Sequence, residues 1–330
     1  MYKMFFILLC FIFNSLHGNP FLLSFPCKES LTEEDLEEVQ QQLRSLNLKP
    51  SFEKLYPEHP QKKILFPWKS ALASKEDFFN RISKATKQIL IDRSSGKIPI
   101  KKLIQIGKGG DNCLVSFASF NGKYDGFLKD LPLLLEKVGF NGYLFYRIGG
   151  FPNPTGKEIR YAAVPYSFKI FSLLEAQKLG FSKVLWIDSA FIPLRDPTPL
   201  FEWIEQEEVF LKQHESFAKF ILPKTRECLK TETGVDVLNV DYVSAQIIGF
   251  DLSKPACKSF VEEYYRLVEL GYPFFSCFPE EYVFTAIIGK NEHQWKAQPF
   301  TKLIFSETKL KKKDLASIQK QGYFFFQKEH

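Results

Sequence analysis

The feature that most constrains the fold is a short apolar run, Lys183–Ile187, that ends directly at the carboxylate of Asp188. A helix-like pattern precedes the run, and a proline-rich loop follows it. A short, continuous apolar run between such elements is typical of a strand buried on both faces of an α/β sheet. Ligands of open α/β sheets bind just beyond the carboxyl ends of the strands. Asp188 is therefore the first candidate for a functional residue.

Strands and helices alternate along the middle of the chain. The predicted strands are 113–118, 143–147 and 183–187, and the predicted helices between them are 125–138 and 165–180. Strand, helix, strand, helix, strand is the pattern of a parallel sheet with right-handed crossovers. Further along, the sequence predicts helices at 199–206, 253–270 and 279–288, strands at 209–212 and 242–250, and a tail helix from Lys309 followed by a strand at 323–326. Residues 213–240 carry no clear pattern.

The first eighteen residues differ from the rest of the chain. Lys3 precedes an apolar run from Met4 to Phe13, and small residues follow. This order is typical of a secretory signal, and the run is shorter than the roughly 20 apolar residues of a membrane span. The residues near a cleavage point fit poorly, so a retained short anchor stays open. We expect export or the secretory pathway, with membrane association if the segment is kept.

Residues 19–110 are predicted to form a helical extension. Two capping-box patterns, Ser30 to Glu33 and Ser74 to Asp77, each precede a helical stretch. Regular alternation of strands and helices begins after this region. We therefore place the boundary of the main domain, 111–330, at residue 111.

Charge and cysteine usage exclude two classes of function. The net charge is +6, and much of the excess lies in local runs such as Lys309 to Lys313, which a solvated helix face explains. Basic residues are not interleaved with aromatic ones as single-strand binding requires, so we expect no nucleic-acid partner. The six cysteines form no CxxC pair, which argues against a cysteine zinc site. A disulfide among Cys228, Cys257 and Cys277 stays open.

Three segments in order carry a family resemblance: Val115–Ser119, Tyr161–Leu179 and Leu185–Ser189. Together they resemble glycosyltransferases of the GT-A type, densely over 113–212 and more weakly over 240–290. The resemblance implies a Rossmann-like GT-A fold, with a mainly parallel central sheet that binds a nucleotide-diphospho-sugar.

The resemblance also implies residues for the donor. The end of the first strand usually meets the nucleotide base, which corresponds to Ser119 and Phe120. A basic residue on the helix before the acidic strand often lies beside the diphosphate, which corresponds to Lys169, with Arg160 just before that helix. Such cations would offset the charge of a departing diphosphate. A solvated lysine on an amphipathic helix is the alternative for Lys169.

The chain departs from the family pattern at Ala190. The usual motif is Asp-x-Asp, whose second carboxylate binds Mn²⁺ or Mg²⁺, whereas this chain has Asp188, Ser189 and Ala190. Alanine supplies no oxygen ligand for a hard cation. Three outcomes follow: a metal on Asp188 and a distant ligand such as His293, a metal-independent reaction, or a domain that no longer catalyses transfer.

The second half of the domain would supply the acceptor side. Ser244 and Gln246 lie on a strand that resembles the border of an acceptor pocket, although Gln246 also fits an alternating strand pattern. Glu280 and Glu281 resemble the acidic motif of the next helix, where one carboxylate would act as general base in an inverting reaction. Two acids in a first helical turn also favour the helix dipole without any catalytic duty.

Two functions from different classes follow. The first is transfer of a hexose from a nucleotide-diphospho-sugar to a hydroxyl of a glycan, lipid or protein. The alternative is an exported, non-catalytic glycan-binding protein on a degenerate transferase scaffold. A nucleotidyltransferase is disfavoured because Lys108, Gly109 and Gly110 precede the first strand instead of following it.

Overall fold

The computed structural model describes most of the chain from residue 97 onwards. The described residues are 34, 64–65, 71–72, 97–120, 123–150, 152, 154, 166–214, 221, 223–274, 276, 278–291, 295–296, 298–307 and 312–328. The predicted leader 1–18, most of the predicted helical extension, Arg160, Cys277 and His293 lie outside them.

The elements are numbered here in chain order. The strands are β1 (Ile64–Leu65), β2 (Ala71–Leu72), β3 (Ile100–Ile106), β4 (Asn112–Ala118), β5 (Gly142–Ile148), β6 (Lys183–Ile187), β7 (Phe191–Pro193), β8 (Val209–His214), β9 (Tyr242–Asp251), β10 (Ile304–Glu307) and β11 (Phe325–Lys328). The helices are α1 (Tyr124–Lys137), α2 (Phe168–Lys178), α3 (Thr198–Glu207), α4 (Pro223–Thr233), α5 (Pro255–Leu270), α6 (Pro279–Lys290) and α7 (Lys312–Lys320).

The central sheet has the order β3-β5-β4-β6-β9-β8 within the described residues. Strand β4 pairs in parallel with β5 and with β6, whereas β3 and β9 run antiparallel to their neighbours. Because β8 is antiparallel to β9, it points the same way as β4, β5 and β6. Four of the six strands therefore share one direction, and the predicted α/β class with a mainly parallel sheet is confirmed.

Helices cover both faces of this sheet because its strands are apolar on both sides. In β6, Val184 and Trp186 lie in one buried cluster, and Leu185 and Ile187 lie in the other. The first cluster includes side chains of α2, α5 and α6, and the second includes side chains of α1 and α3. The alternation of a strand, with period two, thus builds two cores from one continuous apolar run.

The sheet begins earlier in the chain than the predicted boundary at residue 111. Strand β3 lies inside the predicted helical extension, yet it pairs with β5 along its whole length, from Ile100 with Ile148 to Ile106 with Gly142. Two adjacent lysines and a glutamine interrupt the apolar residues of β3, and three of its four apolar side chains are exposed or half-buried. This edge strand satisfies its backbone through β5. The short strands β1 and β2, which pair with each other, also lie within the predicted extension.

Most element predictions agree with the structure to within a few residues. The exceptions include edge strand β3, helix α4, the shifted tail strand β11, and strand β7, which lies in the predicted proline-rich loop. Helix α4 occupies part of 213–240, where no pattern was recognised, because its sequence is rich in threonine and charge. The tail strand β11 is shifted two residues beyond the predicted 323–326, since its pairing with β7 and β10, instead of local hydrophobicity, sets its bounds.

A second, three-stranded sheet of order β10-β11-β7 lies beyond the end of β6. Strand β11 pairs in parallel with β10 and antiparallel with β7, the strand that follows Asp188 by three residues. The amide of Lys328 also donates to the carbonyl of Ala190 at 3.1 Å. Strand β11, near the carboxyl end of the chain, therefore holds the segment after Asp188 in place.

Cys113, Cys228 and Cys257 are buried, unpaired thiols, so no disulfide joins Cys228 to Cys257. Burial raises the pKa of each of the three to about 12, which keeps them protonated and unreactive. Among the residues described, no helix has both the length and the apolar character of a membrane span.

Candidate functional site

Asp188 lies where the sequence places it, at the carboxyl end of β6 in the middle of the sheet. Its backbone amide donates to the Gln246 carbonyl on β9 at 3.1 Å, and its carbonyl accepts the Phe191 amide at 3.0 Å. Its Oδ1 accepts the indole N–H of Trp186 at 2.9 Å. The side chain is 29% exposed, so a fixed carboxylate reaches solvent at this edge.

Lys169, on the first turn of α2, lies buried beneath Asp188. Its Nζ is 3.1 Å from Asp188 Oδ1 and 2.7 Å from Glu280 Oε1, and it donates to the Ala245 carbonyl at 2.8 Å. The Trp186 ring lies 5.6 Å from the same ammonium group. Three oxygens therefore surround the three N–H bonds of Lys169. The predicted role of Lys169 at a diphosphate stays a prediction, and its partners among the described residues are two carboxylates and one backbone carbonyl.

Glu281 occupies a second buried position next to this lysine. Its carboxylate accepts the hydroxyl of Tyr242, the hydroxyl of Ser244 and the amide of Ala245. Ser244 thus binds Glu281, which the sequence did not suggest. We name Lys169, Asp188, Glu280 and Glu281 the Lys169 cluster.

An irregularity in the sheet makes these contacts available. Between β8 and β9, Leu211 pairs with Ile248, but the next residue, Lys212, pairs with Ser244. The residues Ala245 to Ile247 are skipped, so their backbone groups on that side have no ladder partner. Glu281 takes up the Ala245 amide, and Lys169 takes up its carbonyl. Such bulges re-aim side chains and are frequent beside functional sites.

Burial and excess negative charge perturb the two glutamates. Burial raises the pKa of Glu280 to about 7, against the lowering effect of Lys169, and Glu281 raises it further. Burial also raises the pKa of Glu281, opposed by the Tyr242 hydroxyl and by Lys169. For Lys169, burial favours the neutral form, but Asp188 and Glu280 outweigh it and raise the pKa above its usual value. Lys169 therefore stays charged, while Glu280 titrates near neutrality.

Lys212 on β8 is a second lysine beside the cluster, which the sequence analysis did not single out. Its Nζ donates to Gln246 Oε1 at 3.3 Å. The Gln246 amide group in turn donates to Gln327 Oε1 on β11 at 3.0 Å. Burial lowers the pKa of Lys212 to about 8, although the nearby Glu281 and Asp188 both favour its charged form. The predicted acceptor residue Gln246 therefore links Lys212 to β11 through hydrogen bonds.

The residues present do not fit a divalent cation well. Ala190 is buried, with 9% exposure, and offers no side-chain ligand. The Lys169 ammonium lies 3.1 Å from Asp188 Oδ1, where it repels a metal ion. In the described ranges, no three histidine, cysteine, aspartate or glutamate side chains form a group suited to a metal. The predicted ligand His293 lies outside those ranges.

The remaining predicted donor residues lie along the same edge of the sheet. Ser119 and Phe120 follow β4, the strand next to β6, and both are half-buried. The Phe120 ring packs against Gly149, which has φ +70°, and Lys97 Nζ lies 5.3 Å from the ring centre. Any Cβ at Gly149 would lie 1.8 Å from this ring, so glycine is required there. Ser189 is half-buried beside Asp188.

Three further residues of the site escaped sequence reasoning. The sequence indicated Trp186 and Tyr242 only as strand residues, although each donates a hydrogen bond to a carboxylate of the cluster. Gln327 lies just beyond the predicted tail strand 323–326. Lys212 had a usable signal, because it interrupts the apolar run Val209 to Leu211 on a predicted strand.

A cavity of about 290 Å³ lies elsewhere, between α5 and α6. Three of its charged lining residues bind one another: Glu263 binds both Arg266 and Lys290. No residue of the Lys169 cluster lines it, so we assign the chemistry to the edge of the sheet instead.

The fold and the site define an α/β protein whose candidate ligand-binding edge lies at the carboxyl end of β6. No family model and no curated protein matches the chain. Among solved structures, it is similar to the bifunctional glycosyltransferase WbbM in its apo form, with 12% identity and a TM-score of 0.39 over 67% of this chain. It is also similar to the galactosyltransferase LgtC in complex with donor and acceptor sugar analogs, with 14% identity and a TM-score of 0.33.

The extent of these matches differs between the two structures. The chain spans 46% of the WbbM chain, which is less than half of its length. For LgtC, the match covers 59% of this chain and 75% of that one.

Proposed function

We propose that this chain is a glycosyltransferase that moves a hexose from a nucleotide-diphospho-sugar to a hydroxyl acceptor on a glycan, lipid or protein. The observation that carries the proposal is the position of Asp188. Its carboxylate is fixed by Trp186 and Lys169, yet 29% exposed, at the carboxyl end of a central parallel strand. This is the edge at which open α/β sheets bind their ligands.

The chemistry needs a departing group and a proton acceptor. The bond between the anomeric carbon and the diphosphate oxygen breaks, and its electron pair leaves with the nucleoside diphosphate. A new bond forms between the anomeric carbon and the acceptor oxygen, whose proton passes to a base. We assign Asp188 Oδ2 as the carboxylate oxygen nearest the reacting groups, because the contacts of Asp188 with Trp186 and Lys169 use Oδ1.

Glu280 and Glu281 have a positioning role in this proposal. Both are buried, with 5% and 8% exposure, and their oxygens contact protein groups. We propose that they orient Lys169 and the skipped segment of β9, and that a direct general-base role falls to them only if the site opens on binding. Ser119, Phe120, Ser189 and Gln246 remain our candidates for contacts with the donor and acceptor.

The test is turnover of a defined panel of donors. Purified protein is incubated with uridine- and guanosine-diphospho-hexoses and a mixture of glycan acceptors, and release of nucleoside diphosphate is measured with Mn²⁺ or with a chelator. We expect turnover in wild type and a loss of about 100-fold or more in Asp188→Asn. Asp130→Asn, on the exposed face of α1, is the matched control. Equal turnover in the two variants would contradict the proposal.

A glycan-binding protein without turnover is the second candidate. Two observations favour it: Ala190 replaces the metal-binding aspartate, and the nearest cation, Lys169, is already surrounded by protein oxygens. This function predicts glycan binding on an array that Asp188→Asn leaves unchanged, and no hydrolysis or transfer with any donor. The same two experiments therefore separate the candidates.

A further inference from the structure

The carboxylates of the site and a bound diphosphate together require a further positive charge. Lys169 cannot provide it, because protein oxygens already surround its ammonium group. The Lys169 cluster contains three carboxylates and one ammonium group, and that ammonium is held by Asp188, Glu280 and the Ala245 carbonyl. A nucleoside diphosphate would add further negative charge at the same edge. An opposite charge must accompany it, because like charges in a partly buried site repel strongly.

Lys212 is the cation whose contacts leave it available. In the part of the chain that the structure describes, its ammonium group donates to one acceptor, Gln246 Oε1, at 3.3 Å. An ammonium group carries three N–H donors. Among the described residues the other two have no hydrogen-bond acceptor, so they can donate to the oxygens of a ligand, in contrast to those of Lys169.

The sheet positions this lysine beside Asp188. Lys212 lies at the break in the β8–β9 ladder, opposite Ser244, next to the skipped residues whose Gln246 carbonyl binds the Asp188 amide. Its charge interacts with Asp188 and with Glu281 on α6. The hydrogen bonds from Gln246 to Gln327, and from Ser306 to the same Gln327 oxygen at 2.9 Å, fix the glutamine that holds Lys212.

We propose that Lys212 binds the diphosphate of the donor and supplies the positive charge that a divalent cation provides in enzymes with an intact Asp-x-Asp motif. This inference rests on the proposed transferase function. The ammonium group stays protonated, hydrogen-bonds to the diphosphate oxygens, and stabilises the charge that develops on the oxygen released from the anomeric carbon. Gln246 is a positioning residue for it.

Calorimetric titration with uridine diphosphate and guanosine diphosphate, in the presence of a chelator, tests the inference. We expect one of the two to bind wild type, and Lys212→Met to weaken that binding about 10- to 100-fold, the range for a charge-assisted contact. The corresponding nucleoside, which lacks phosphate, should bind both proteins equally. Lys212→Arg should retain most of the affinity, and Lys258→Met, on the exposed face of α5, should behave as wild type.

The pH dependence adds a readout that loss of folding would not produce. Wild-type affinity should fall as pH rises above about 8, where Lys212 loses its proton, and Lys212→Met should show no such fall. Asp188, Glu281, Glu280 and Lys169 are the other charged groups facing this region, and Lys212→Met retains them all.

The outcomes separate the two proposals. If wild type binds or turns over a diphosphate donor and Lys212→Met matches it in affinity and pH profile, this inference is overturned while the proposed function stands. Binding that requires Mn²⁺ and is lost with the chelator would also overturn it. If neither diphosphate binds and no donor is turned over, both proposals fall together.

Discussion

Helix α2 carries a buried charge near each of its ends, and the two surroundings differ. Near its carboxyl end, Glu175 is held by Arg147 through two hydrogen bonds, at 2.6 and 3.1 Å, and by Lys101 at 3.0 Å. We name Lys101, Arg147 and Glu175 the Glu175 cluster. Near the amino end lies the Lys169 cluster, in which carboxylates outnumber cations.

The balance of charge decides how each cluster titrates. Burial alone would raise the pKa of Glu175, but Arg147 and Lys101 outweigh it and lower the pKa below its ordinary value. In the Lys169 cluster, burial prevails and raises the pKa of Glu280 to about 7. The Glu175 cluster is thus a structural ion pair whose charges balance. In the Lys169 cluster a buried carboxylate has a raised pKa, which is common at functional sites.

Removal of Lys169 should have the largest effect on stability. Lys169→Met leaves Asp188 and Glu280 without their shared cation, and breaking a buried pair costs about 3–5 kcal/mol. Urea denaturation at about pH 8, above the pKa of about 7 of Glu280, measures this cost. Adding Glu280→Gln to Lys169→Met should recover part of it. A loss below about 1 kcal/mol, the range of an exposed pair, would contradict the role of Lys169 as the cation shared by the two carboxylates.

The pH dependence of stability should distinguish the two clusters next. Between the ordinary pKa of 4.5 and about 7, folded Glu280 keeps a proton that the unfolded chain has released. Stability therefore falls as pH rises through this window, by an amount on the order of 3 kcal/mol. Glu280→Gln should remove the Glu280 share of this fall in urea denaturation curves and leave that of Glu281, whereas Glu262→Gln, on the exposed face of α5, should keep the whole fall. Parallel curves for wild type and Glu280→Gln would contradict the assignment.

Loss of Arg147 should cost less than loss of Lys169, about 2 kcal/mol at neutral pH, because Lys101 still faces Glu175. The sign of the pH dependence is opposite to that of Glu280. The lowered pKa of Glu175 contributes stability that is present above its ordinary value of 4.5 and is lost as pH falls through the folded value. Thermal unfolding of Arg147→Met and wild type should thus converge in acid. A difference that persists unchanged there would point to packing instead of charge.

The smallest effect is expected for Lys101. Its side chain is 54% exposed, so Lys101→Met should lower the free energy of unfolding by less than about 1 kcal/mol. High salt should reduce even this difference, because exposed pairs are screened. Chemical denaturation with and without added salt makes the comparison, and a larger, salt-insensitive loss would mean that Lys101 is part of the buried network.

The sequence predicted the sheet well because its central strands are apolar on both faces. Strand β6 and its terminal Asp188 came from one run of five residues, and β4, β5 and β9 were found to within one residue at each end. Edge strand β3 was not recognised, because lysines interrupt its apolar pattern. Its extended conformation depends on backbone pairing with β5. Local composition cannot reveal a strand whose backbone partner lies forty residues away.

The candidate site was predictable in its residues and not in its contacts. The sequence singled out all four residues of the Lys169 cluster. Their ion pairs with Lys169, however, depend on how α2 and α6 pack against the sheet. Lys212 was missed because its importance follows from the skipped residues of β9, which no local pattern indicates. The roles of Tyr242 and Trp186 depend on the direction of a single polar atom.

The order of synthesis gives a further meaning to the pairing of β11 with β7. The loop that carries Asp188 leaves the ribosome long before residues 325–328, which later hold it. A nascent chain that lacks those residues has an open edge at Phe191 to Pro193 and no Gln327 beside Gln246. The site can therefore reach its final arrangement only after translation has passed residue 328.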